Sequence, residues 1–226
     1  MKREELLAWI GLVLAVPPIV YSVFKEGQWS AGIFVLLVIA ALVRGYFGRN
    51  KPNFNALSVR KYLEIIDKDG HRACLKATYH LQANHRTQHF TTSYLGGDGH
   101  IENIKVDSHE PTQIRPVGNR TEITKYFDRE LSPGEEVQVV VSLDQVDTYP
   151  RNKESIGHVI EYETEKVEIE VCFPSDRLPR NSEVLMRRQG TLRDGEKCKV
   201  NNENRTISVF ITHPTRDTEY VLRWEW

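Results

Sequence analysis

Arginines and aromatic residues that could hold an anionic, ring-bearing ligand fall in three segments. Arg115, Arg120, Tyr126 and Arg129 form the first, Tyr149, Arg151 and Lys153 the second, and Arg187 with Arg188 the third. A guanidinium offers a planar fork of donors to phosphate or carboxylate, and an aromatic face offers a platform for a base. Arg115, Arg120, Tyr126, Arg129, Tyr149 and Arg151 are therefore the candidate ligand-binding residues. The same composition also suits a solvated rim, so the reading requires two clusters to converge in one concave mouth.

Other chemistry is poorly represented. The chain has no Gly-x-Ser-x-Gly, no phosphate-binding P-loop, no dinucleotide fingerprint and no His-Glu-x-x-His. No catalytic residue is assigned, and the expectation is a protein that is not an enzyme. His85 and His89 are four apart, a metal-pair spacing on a helix, but they lie in a stretch that reads as loop or strand. No metal site and no cofactor are expected. Cys74, Cys172 and Cys198 have no short spacing and read as free thiols of a reducing compartment.

The elements that must position these residues have two periodicities. Beyond residue 58 the period is two. Residues 61–66, KYLEII, read as a strand, and Asp67-Lys-Asp-Gly70 as a hairpin turn. Ala73, Leu75, Ala77, Tyr79 and Leu81 then share one face. Val137, Val139, Val141 and Leu143 do the same, as do Val167, Ile169, Val171 and Phe173. At the end of the chain Tyr220, Leu222, Trp224 and Trp226 share a face and should lie in a core. About ten strands and no long amphipathic helix predict an all-β domain over residues 58–226, sandwich or barrel.

Before it, residues 6–24 (LLAWIGLVLAVPPIVYSVF) carry no charge, and residues 29–47 (WSAGIFVLLVIAALVRGYF) are nearly as apolar. Each is close to the roughly 20 residues that cross a bilayer as a helix. The expected fold class is thus a membrane helical hairpin over residues 1–47, a linker over 48–57, and the all-β domain. Lys2 and Arg3 before the first run, and Arg44, Arg49, Lys51, Arg60 and Lys61 after the second, place both ends on the cytoplasmic side of the membrane. The residues after 47 hold 26 basic and 28 acidic side chains, which argues against binding to duplex nucleic acid.

The two apolar runs, followed by strands such as KYLEII, RACLKATYHL and KVEIEVCF, resemble the two-transmembrane, β-rich effectors of bacterial anti-phage signalling. The resemblance implies a β domain that senses a cyclic nucleotide or another infection cue, homo-oligomerisation, and disruption of the inner membrane. Lipids would then be partners. The alternative is a membrane-anchored adaptor whose β domain binds a partner protein without forming a pore.

Overall fold

The computed structural model describes residues 52–95, 99–109, 113–118, 120–188, 191–194, 200–203 and 205–226. Residues 52–226 form one compact unit. Its strands are β1 (Phe54–Ile65), β2 (Arg72–Ala83), β3 (Thr87–Leu95), β4 (His100–Val106), β5 (Gln113–Val117), β6 (Arg120–Leu131), β7 (Glu136–Val146), β8 (Lys153–Val159), β9 (Lys166–Cys172), β10 (Asn181–Arg188), β11 (Thr191–Asp194), β12 (Val200–Glu203), β13 (Thr206–Thr212) and β14 (Thr218–Glu225).

They form three open sheets. The largest has the order β12-β13-β9-β1-β2-β7-β4; a second is β11-β10-β14-β8 and a third β3-β6-β5. Alternation explains the layering. On the large sheet Leu63, Leu75, Ala77, Val141, Ile169 and Val209 are buried on one face, and Arg60, Lys76 and Glu170 lie on the other. Both smaller sheets pack on the apolar face. Phe54 and Tyr79 of the large sheet meet Phe90 of β3, while the Tyr79 ring also meets His158 of β8.

β1 begins at Phe54, inside the stretch read as a linker. The physical reason is a bulge between Ala56 and Ser58. Buried positions run Phe54, Ala56 before it and Val59, Lys61, Leu63, Ile65 after it. An extra residue reverses the alternation, so the period-two signal breaks at that point. The turn after β1 forms as expected, with Gly70 at a φ of 75° and β1 antiparallel to β2. β1 also pairs in parallel with β9, more than a hundred residues later.

The expected fold class is corrected. Every element among the described residues is a strand, and no helix among them is long and apolar enough to cross a membrane. Among the described residues the fold is all-β, rather than a helical membrane hairpin joined to a β domain. The apolar runs at residues 6–24 and 29–47 lie outside the described residues. The resemblance to two-transmembrane anti-phage effectors rested on those runs, so it falls with the helical architecture. The inner-membrane location, the lipid partnership and the membrane-driven oligomer fall with it, as do membrane disruption and the membrane-anchored adaptor, because no membrane-crossing helix among the described residues supports them. Lys61 also leaves the topology argument. It is 6 % exposed, on the core face of β1, and not a charge beside a bilayer.

Candidate functional site

The two covering sheets do not join. β3 is an edge of one and β8 an edge of the other, and each pairs with one neighbour only. An edge strand leaves alternate backbone groups without a strand partner. Side chains take over two of these carbonyls. Lys61 Nζ donates to the Gly157 carbonyl of β8 at 2.8 Å, and the Tyr162 hydroxyl donates to the Thr91 carbonyl of β3 at 3.0 Å. Between the edges a cleft of about 240 Å³ opens onto the large sheet.

Lys61, Gln145 and Leu75 of the large sheet line its floor. Thr92 and Tyr94 of β3 form one wall, and Gly157 and His158 of β8 the other. Arg120, Arg187 and Glu161 stand at the mouth, where all three are exposed. Tyr79 ties wall to floor: its hydroxyl is 3.0 Å from the Thr92 hydroxyl and 2.9 Å from that of Tyr94. The Tyr94 ring in turn receives the Lys61 ammonium at 5.5 Å from its centroid.

Burial sets the protonation of these groups. Desolvation lowers Lys61 from 10.5 to about 8, against the opposing fields of Glu161 and Glu219. His158, half-buried by surface area but with its ring enclosed, is pushed well below the usual histidine range by desolvation and then by Lys61. Desolvation also raises Tyr79 and Tyr94, so both phenols stay protonated. The Glu161 carboxyl is raised by partial burial, with Arg120 and Lys61 pulling the other way. Glu219 is held by Arg187 at 2.8 Å. Counting Lys61, Arg120 and Arg187 against Glu161 and Glu219, the cleft carries a formal charge of +1.

The six residues expected to bind a ligand do not converge. Arg120 and Tyr149 reach the cleft. Tyr149 is buried, with its hydroxyl on Gln145 at 2.8 Å, so it offers no open face for stacking. Arg115 lies on exposed β5 and pairs with Glu122 of β6 at 2.6 Å. Arg129 pairs with Glu135. The Tyr126 ring lies against His89 on the outside of its sheet. Arg151 is exposed beyond β7, where its backbone N–H donates to Glu154 at 2.6 Å. Two of the six thus line the cleft and four lie elsewhere. His85 bonds to Asn53 and His89 meets Tyr126, so that pair is also divided. Among the described residues, no group of three His, Cys, Asp or Glu side chains lies close enough to hold a metal ion. Cys74 and Cys172 are free and half-buried, and Cys198 lies outside the described residues.

Lys61 was not among the expected site residues. The available signal was its phase: Val59, Lys61, Leu63 and Ile65 alternate with charged or polar neighbours, which puts a lysine on an apolar face.

No protein-family model and no curated protein sequence matches the chain. Several solved structures are similar over part of it. An M1 zinc metallopeptidase from Deinococcus radiodurans shares 7 % identity over 75 % of this chain and 42 % of its own, with a TM-score of 0.42. Yeast LTA4 hydrolase in complex with bestatin shares 10 % identity over 75 % of this chain and 28 % of its own, with a TM-score of 0.43. A putative protease from Parabacteroides distasonis shares 10 % identity over 78 % and 41 %, with a TM-score of 0.43. The chain spans less than half the length of each. Nothing about this chain's chemistry follows from a likeness of this kind.

Proposed function

We propose that the β domain is a binding module for a small carboxylate or phosphate, held in the cleft between β3 and β8 and released unchanged. The observation that carries this reading is Lys61. An ammonium has three donors and strongly resists removal from water. Among the described residues, Lys61 Nζ has one hydrogen-bond acceptor, the Gly157 carbonyl. Its remaining N–H groups border a cavity large enough for a small organic acid. An anion there would supply both the missing acceptors and a countercharge in direct contact. Arg120 at the mouth adds a second cation and a planar fork for the same group. The module reading, without turnover, is supported by the raised phenols of Tyr79 and Tyr94, which are poor nucleophiles in that state.

Calorimetric titration of the full-length protein with inorganic phosphate and a panel of small mono- and dicarboxylates tests it. At least one should bind with one-to-one stoichiometry. Lys61→Met and Arg120→Gln should each weaken that binding by about tenfold or more, near 1.4 kcal/mol. Recovery of the compound unaltered is expected. Binding that ignores both substitutions, or no binding across the panel, would overturn the proposal.

A further inference from the structure

Lys61 is placed for covalent chemistry as well as for charge. We propose that it captures small aldehydes and 2-oxo acids bearing an anionic group, as a reversible imine inside the cleft. This rests on the reading of the cleft as an anion site, and it names the ligand class more narrowly.

Three features of the geometry carry it. First, the amine is fixed. Nζ donates to the Gly157 carbonyl at 2.8 Å and lies 5.5 Å from the Tyr94 ring centroid, so it does not sweep through space as an exposed lysine does. A neutral amine that gives one N–H to Gly157 keeps its lone pair, and Lys61 borders the cavity. Second, burial favours that neutral form, as the drop to about 8 reflects. Desolvation is one way a lysine becomes a nucleophile near neutral pH. Third, a carboxyl group and an anion anchor stand at the mouth. Glu161 lines the cleft beside Lys61, its carboxyl raised by desolvation, and Arg120 can face the carboxylate of an incoming oxo acid. The other titratable or charged groups facing the cleft are His158 of β8, Arg187 of β10, Glu219 of β14, Tyr94 of β3 and Tyr149.

The step balances without any redox partner. The Lys61 lone pair adds to the carbonyl carbon, and the carbonyl oxygen takes up a proton to give a carbinolamine. That hydroxyl takes a second proton and leaves as water. The nitrogen sheds its N–H protons as the C=N bond forms. One amine and one aldehyde become one imine and one water, and hydrolysis reverses it.

The test is borohydride trapping with glyoxylate, an aldehyde that carries a carboxylate, on the full-length protein near pH 7.5. Peptide mapping by mass spectrometry then locates the reduced adduct. Lys61 should be labelled more than about tenfold over the exposed lysines, given its greater share of neutral amine. Labelling should rise with pH through about 8. Lys61→Arg keeps the charge and should lose the adduct. Arg120→Gln should lower labelling by glyoxylate but not by uncharged propionaldehyde. Saturable glyoxylate binding without enrichment at Lys61 would overturn the imine and leave the anion site standing. Neither binding nor enrichment would overturn both. Labelling that persists elsewhere at the same level in Lys61→Arg would overturn the imine as well.

Discussion

At the residue scale, one lysine decides the account. Lys61 occupies a core position of β1 between Val59 and Leu63, each 2 % exposed or less. Its proton is bound more weakly in the folded chain, at about 8, than at the ordinary 10.5. Between those two values the unfolded chain holds the proton and the folded chain does not. Stability should therefore rise with pH across that window, and below about 8 the full penalty of burying the charge is present. At about 1.4 kcal/mol per pKa unit the penalty is roughly 3 kcal/mol. Lys61→Met should be at least as stable as the native protein near pH 7, and its stability should be flatter between pH 8 and 10.5. Urea denaturation at pH 7 and pH 10 measures both. A loss of several kcal/mol at pH 7 in Lys61→Met would mean that the lysine's bond to Gly157 outweighs its desolvation. Arg120 and Tyr149, singled out in the sequence, line the cleft, whereas Lys61 was not singled out, for a physical reason. Charge and aromatic content show in composition, whereas burial of a lysine depends on which face of its strand the other sheets cover, and those sheets come from distant parts of the chain. Arg115 and Arg129 form ion pairs with acids seven and six residues away, which no composition rule anticipates.

At the element scale, turns and alternating strands were legible and sheet membership was not. β14 lies where its aromatic face predicts, with Leu222 and Trp224 fully buried. Its neighbours are β8 and β10, an order that does not follow from adjacency along the chain. The turn after Leu131 looks like a hairpin turn, yet it carries the chain from the β3-β6-β5 sheet into the seven-stranded one. The turn at Gly70 has a further role. Tyr149 N–H donates to the Gly70 carbonyl at 3.1 Å, and Asp147 N–H to that of His71 at 2.7 Å. These bonds seat Tyr149 against Trp224, with ring centroids 5.6 Å apart, beside the cleft floor. A Cβ at Gly70 would overlap the Tyr149 carbonyl and require a side chain at positive φ. Gly70→Ala should therefore cost at least about 3 kcal/mol. Gly157→Ala should cost less. There the nearest atoms to the new Cβ belong to the Glu219 side chain, with a carboxylate oxygen 2.7 Å away, so a side chain paired with Arg187 must shift rather than the backbone. Chemical denaturation of the two variants separates backbone overlap from side-chain crowding, and equal losses would contradict this account of the turn.

At the scale of the whole unit, the cleft follows from how the layers meet. One broad sheet is covered by two narrow ones, and the seam between them exposes edge strands that the chain closes only with side chains. Lys61 is the central closure, and a sealed seam would have needed an apolar residue there. The apolar core was readable from alternation because each layer buries a single face. The seam was not, because it depends on which strands end each sheet. The most direct test follows Lys61 itself by heteronuclear NMR of the full-length protein across pH 6–11, alone and with a saturating small carboxylate found by titration. A midpoint near 8 is expected in the free protein, with a clear upward movement when the anion is bound, because the bound charge favours the ammonium. A midpoint near 10.5 that does not respond to any anion would contradict the anion-site reading.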